Sequence, residues 1–136
     1  MELEFFTEDI EFDFTDSDFV KASIQKIQEL EIKEFETINY IFCSDEYLRE
    51  INQEYLNREY YTDIITFTNQ EDPVQGDIFV SIDRIGENAI LFDTGFQQEL
   101  RRVLIHGLLH LCGYEDYDAA QKKRMTEKED FYLNFS

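Results

Sequence analysis

Between Glu2 and Phe14 apolar residues alternate with acids, and this period of two predicts short strands at residues 2–6 and 10–14. The period then lengthens. Val20, Ile24 and Ile27 recur at helical spacing, with Asp16 or Ser17 placed to cap a helix running to about residue 31. The β-branched and aromatic run INYIFC at 38–43 predicts a buried strand. Ser44 follows as the cap of a helix in which Leu48, Ile51 and Tyr55 share one face. DIITF at 63–67 and GDIFVSI at 76–82 predict two further strands, separated by the polar loop NQEDPVQ with the single proline, Pro73. A short helix is expected from about Arg84 to Phe92. Thr94 and Gln97 then read as a capping box, T-G-F-Q, opening a helix that ends at Gly113. Between Val103 and Leu111 nearly every residue is apolar on all sides, which places this helix at the centre of the domain. The tail from Asp118 onward predicts a final amphipathic helix. Strands paired first in hairpins, followed by helices, indicate an α+β domain with a small sheet covered by helices.

Length bounds this to one domain over residues 1–136, and an apolar content of 43% is enough to fill a core. No apolar run approaches the ~20 residues of a membrane span. The acidic, alternating N-terminus is the opposite of a signal or transit peptide, so the expected location is the cytoplasm. Cys43 and Cys112 form no CxxC pair and read as small buried hydrophobes kept reduced. Charge changes the picture more. Thirty-one acids against twelve bases leave a net charge of −19, a field that repels polyanions and weighs against direct contact with nucleic acid.

The chain has two histidines, and both lie in the buried helix: His106-Gly-Leu-Leu-His110. Four residues at ~100° each return the second imidazole to within ~40° of the first and ~6 Å along the axis, a spacing that suits one tetrahedral ion. Unpaired imidazoles in so apolar a stretch would each cost ~1–3 kcal/mol, and a shared metal satisfies both. Gly113, with its tolerance of the left-handed region, lets the chain turn back, so a residue shortly after it can complete the site. Asp116 is the expected third ligand, because H-x-x-x-H-x-x-G-x-x-D follows the metzincin zinc spacing with two substitutions. Glu115 and Asp118 are the competing carboxylates. Cys112 stands ~200° round the helix from His110 and is discounted. Three protein ligands leave an open position, the mark of a catalytic ion, and His₂Asp suits zinc, although ligand type alone also admits manganese, nickel or iron. In HExxH proteases the residue after the first histidine is a glutamate that acts as general base; here it is Gly107, which turns the chemistry away from peptide hydrolysis and toward phosphodiesters.

HGLLHLCGYED at 106–116 resembles HGxLHLxGYDH, the signature of the YbeY family of bacterial endoribonucleases and ribosomal-RNA maturation factors. IN-x-x-Y at 51–55, TDIITF at 62–67, GDIFVSID at 76–83 and ELRRVLIHG at 99–107 resemble further family segments in the same order, covering roughly residues 40 to 130. The resemblance implies a mixed sheet of about four strands flanked by helices, and a zinc-like ion held by three histidines. His106 and His110 carry over directly, while the third histidine falls on Asp116. The family's arginine after the Tyr of LN-x-x-Y falls on Leu56, leaving Arg58 as a weak substitute from the adjacent loop. Thr66 keeps the hydroxyl of the family's serine.

The expected function is a metal-dependent, single-strand-specific endoribonuclease in ribosomal RNA maturation, including the 16S rRNA 3′ end, and in ribosome quality control. Its cofactor would be one divalent ion, Zn²⁺ foremost. Its partners would be ribosomal RNA and ribosomal particles or ribosome-associated proteins, with no membrane. A metzincin-like peptidase and a non-catalytic ribosome-assembly factor with a structural metal are the alternatives. Local positive charge does exist beside the metal motif, in Arg101-Arg102 and Lys122-Lys123-Arg124, and any direct RNA contact is expected to run through it.

Overall fold

The computed structural model describes residues 1–134. Its elements in chain order are β1 (Glu2–Thr7), α1 (Ser17–Glu31), β2 (Phe35–Cys43), α2 (Asp45–Leu56), β3 (Ile64–Glu71), β4 (Val74–Ser81), α3 (Ile82–Leu91), α4 (Phe96–Leu111) and α5 (Ala119–Leu133). The four strands form one mixed sheet in the order β1-β2-β4-β3. β1 and β4 both run parallel to β2, and β3 runs antiparallel to β4. Only β3 and β4 are therefore a hairpin. The α+β class holds, but the expected run of hairpins does not. Helix α1 carries the chain back between the parallel strands β1 and β2, as parallel pairing requires a crossover, while between β2 and β4 the return run is β3, reached through α2.

Period-two alternation along β2 sends Ile38, Tyr40 and Phe42 to one face and Ile41 and Cys43 to the other. The first face joins Ile78 and Val80 of β4, the buried residues of α1, and Leu100, Leu104 and Leu108 of α4 in the main core. Tyr40 crosses this layer and donates its hydroxyl proton to the Leu104 carbonyl at 2.9 Å, tying sheet to helix. The second face packs Cys43 and Ile65 against Leu48 and Ile51 of α2. Tyr55 shares that helical face but stays exposed, its ring edge-on to Phe67 with centroids 5.7 Å apart.

Three local expectations fail for physical reasons. Residues 10–14 form no strand. Ile10, Phe12 and Phe14 do pack inward, with Phe14 4.8 Å from Phe42. Alternation recorded which side faces the core, not whether the backbone had a ladder partner. The loop NQEDPVQ is mostly strand, because β3 and β4 extend to a turn over Asp72-Pro73. The T-G-F-Q capping box does not form. Gly95 is the N-cap of α4, Thr94 bonds Gln98 at 2.7 Å, and Gln97 reaches Asp16 at 2.5 Å. Asp16 makes no side-chain cap on α1 either, since Arg101 grips it in a bidentate pair at 2.6 and 2.9 Å. A charge-assisted fork between distant elements outcompetes two local caps. Ser44 does cap α2, and Asp118 with Gln121 forms a capping box on α5.

Candidate metal centre

Helix α4 carries His106 and His110 one turn apart, their rings edge to face with centroids 4.4 Å apart. The helix ends in a Schellman turn: Tyr114 N–H donates to the Leu109 carbonyl at 3.1 Å and Gly113 N–H to the His110 carbonyl at 2.9 Å. Gly113 takes φ 102°, a region costly for any side chain, and so reverses the chain. The reversal delivers Asp116, whose Oδ2 lies 3.4 Å from His106 Nε2 and 3.8 Å from His110 Nε2. Donors on a tetrahedral ion with bonds of ~2.0–2.1 Å sit ~3.3 Å apart, so these three atoms fit one cation. Among the described residues, His106, His110 and Asp116 are the group of three whose donor atoms all converge within 4.8 Å.

What the other side of each ring does argues for a ligand set over a chance ion pair. His106 Nδ1 meets Glu129 Oε2 of α5 at 2.5 Å, and His110 Nδ1 meets the Tyr114 carbonyl at 2.8 Å. With Nδ1 donating in both, both Nε2 lone pairs point at the Asp116 carboxylate, the arrangement a metal-binding imidazole needs. Each anchor is itself anchored. Arg102 donates to the buried Glu129 at 2.8 Å and to Asp130 at 2.6 Å. The Tyr114 hydroxyl donates to Glu31 at 2.5 Å, which also accepts from Tyr132 at 2.6 Å and Lys128 at 3.0 Å. Two distant elements, α1 and α5, thus help to orient the two rings.

The electrostatics follow. Burial disfavours the His106 cation, but Glu129, Asp63 and Asp116 outweigh it and hold its pKa above the usual value. His110 moves down, through burial and the neighbouring His106 charge. Burial pushes the Glu31 carboxyl up, yet the hydrogen bonds from Tyr114, Tyr132 and Lys128 prevail and hold it low.

The donors open into a cleft of about 460 Å³ lined also by Leu56, Arg58, Thr66, Asp63 and Glu115. Arg58 is exposed at its rim and donates to the Tyr60 hydroxyl at 3.1 Å. Glu115 lines the cleft but is not one of the converging donors, and Asp118 is committed to the cap of α5. Burial and the Glu31 charge push the Cys112 thiol pKa up to about 12, and Cys112 is not one of the converging donors. A Cβ on Gly107 would lie 2.9 Å from both Ile64 Cδ1 and Ile78 Cγ2, so sheet side chains occupy the place of a zincin glutamate. The two arginines of the expected basic patch on α4 are ion-paired. Arg101 is paired with Asp16 and Arg102 with Glu129 and Asp130, while Arg124 sits over the Tyr114 ring at 5.5 Å. Glu129, Tyr114, Glu31 and Asp63 escaped the sequence reading, since single acids and tyrosines in so acidic a chain carry no spacing signal.

The family profile described as Endoribonuclease YbeY matches residues 2–136. The chain belongs to the YbeY family. A relative from Cytophaga hutchinsonii named Endoribonuclease YbeY is 45% identical over 132 residues, covering 96% of this chain and 92% of its own. One of the same name from Karelsulcia muelleri is 52% identical over 106 residues, 77% of this chain and 75% of its own. A Thermotoga maritima protein solved in solution superposes with a TM-score of 0.66 at 31% identity, covering 96% of this chain and 86% of its own. The mixed four-strand sheet and the histidine helix are those expected of a YbeY fold. Family and donor geometry together support a metal cofactor in this YbeY chain.

Proposed function

We propose that this chain is a single metal-dependent hydrolase domain, residues 1–136, that cleaves single-stranded RNA in ribosomal RNA maturation, including the 16S rRNA 3′ end, and in ribosome quality control. The observation that carries the reading is the convergence of His106, His110 and Asp116 at the floor of an open cleft, in a chain of the YbeY family. Zinc is the proposed ion and the cytoplasm the proposed location. Bound there, a divalent ion supplies Lewis acidity toward a phosphodiester and its attacking water. The chain's own residues do the rest. The two imidazoles and Asp116 present their donors to one point, and Glu129 and Tyr114 hold the rings so that this costs no reordering on binding. Arg58 at the cleft rim offers a guanidinium to a phosphate oxygen, in place of the family arginine at Leu56. Gly107 and the isoleucines packed on it leave no helix-borne base for peptide hydrolysis.

With a net charge of −19 and Arg101 and Arg102 already paired, substrate is held through ribosomal particles or ribosome-associated proteins, with free RNA bound weakly. No described helix is long and apolar enough to cross a membrane. Metal-loaded protein assayed on ribosomal RNA and on a casein-type substrate, with and without chelator, tests the reading. Cleavage of RNA alone, lost with chelator and restored by divalent ion, is expected. Proteolysis would replace it with the peptidase, and binding to ribosomal particles without any cleavage would replace it with an assembly factor.

A further inference from the structure

Hydrolysis needs a proton acceptor near the attacking water, and helix α4 supplies none at Gly107. We propose that Asp63 is that acceptor, reaching the cleft from the residue before β3. Its position follows from the missing side chain at 107. A Cβ there would lie 2.9 Å from Ile64 Cδ1, so the glycine is what lets the start of β3 close onto α4. Asp63, one residue earlier, lines the same cleft as His106, His110 and Asp116. Its backbone is pinned, since its carbonyl accepts the Ser81 N–H at 2.9 Å. Its carboxylate is only lightly engaged, by Asn88 Nδ2 at a long 3.5 Å and by its own backbone N–H. It is thus held in place yet free to take a proton.

The charges that act on it are those of His106 and Glu99 on α4, Glu129 on α5, and Asp116 in the loop between them. Burial raises its pKa; His106 opposes this, and Glu129 and Asp116 add to it. A base drawn up from the ordinary aspartate value is better matched to proton transfer at working pH. In the step, the water oxygen forms a bond to phosphorus and one of its protons passes to an Asp63 oxygen. The ester bond to the departing ribose oxygen breaks, and that oxygen takes the proton back, regenerating the carboxylate.

This inference rests on the nuclease reading above, and the test separates the two. Single-turnover cleavage of a single-stranded RNA oligonucleotide is measured against pH for metal-loaded wild type, Asp63→Asn and Asp63→Glu. Asp63→Asn should lower the rate by about 100-fold or more and abolish the acid limb of the profile, with partial recovery in Asp63→Glu. Zinc affinity by chelator competition and oligonucleotide Kd should both stay within about twofold of wild type, which a disturbed metal centre would not allow. In the metal-free protein, the Asp63 carboxyl carbon should titrate above the ordinary aspartate value by NMR. Wild-type cleavage left unimpaired in Asp63→Asn overturns the role while the nuclease reading stands. So does loss of the acid limb in Glu115→Gln instead, zinc loss in Asp63→Asn, or an ordinary titration midpoint. Metal-loaded wild type that cleaves no RNA overturns both.

Discussion

Replacing Glu129 tests whether the outer anchors, and not only the ligands, make the metal site. In Glu129→Ala two contacts vanish together: the 2.5 Å bond to His106 Nδ1 and the 2.8 Å bond from Arg102. Arg102 keeps Asp130 at 2.6 Å, so it is not stranded, and the fold should survive. The loss in metal-free stability should be about 1.5–3 kcal/mol, the range for a lost hydrogen bond to a charged group. His106 loses more. Without an acceptor on Nδ1 its proton is free to settle on Nε2, which removes the lone pair aimed at Asp116. Loss of such an anchor costs ~10–100-fold in metal affinity. That is about 1.4–2.7 kcal/mol of binding energy. Glu129→Gln, which keeps an oxygen acceptor without its charge, should fall between wild type and alanine. Zinc affinity is read by competition with a chromophoric chelator, and fold stability separately by urea unfolding in excess chelator. Wild-type affinity in a folded Glu129→Ala protein would refute the reasoning, because the tautomer would then be set without α5.

Gly107→Ala should destabilise by about 1 kcal/mol in urea, since overpacking of ~1–3 kcal/mol against Ile64 and Ile78 exceeds the ~1 kcal/mol gain in helix propensity; a stabilised variant would show the contact to be slack. Glu31→Gln should lower stability at neutral pH by about 1–3 kcal/mol. Because the folded Glu31 pKa is depressed, its contribution is present above the unfolded value and lost as pH falls through the folded one, so acid titration of the two proteins should converge toward low pH. A gap that stays constant into acid would place the effect elsewhere. Arg58→Ala should slow RNA cleavage by about 10- to 100-fold with little change in oligonucleotide Kd, as expected of a group that acts in the transition state. An unchanged rate would return Arg58 to an ordinary surface arginine.

Local patterns carried the helices and the ligand pair because both depend on spacing along one element. The i, i+4 histidines and the glycine that ends their helix are written within eight residues, and backbone geometry leaves them one arrangement. The same is true of the caps at Ser44 and Asp118, whose partners are three residues away. Where a distant charge competed, the local pattern lost. Asp16 looked like a helix cap and became the partner of Arg101, 85 residues on, and Gln97 followed it.

From its sequence alone, then, this chain declares an α+β composition, a buried helix and two histidines one turn apart ahead of a chain reversal, since periodicity and short spacings are properties of the backbone itself. Tertiary structure decided the rest. Parallel pairing of β1, β2 and β4, the grip of Glu129 and Tyr114 on the two imidazoles, the neutralised arginines and the approach of Asp63 to the cleft all join residues tens of positions apart. In a chain with thirty-one acids, no spacing marks which carboxylate will face which cation or ring. Packing of α4 between the sheet and α5 makes that choice, by burying some of these charges where only a matched partner can offset the loss of water.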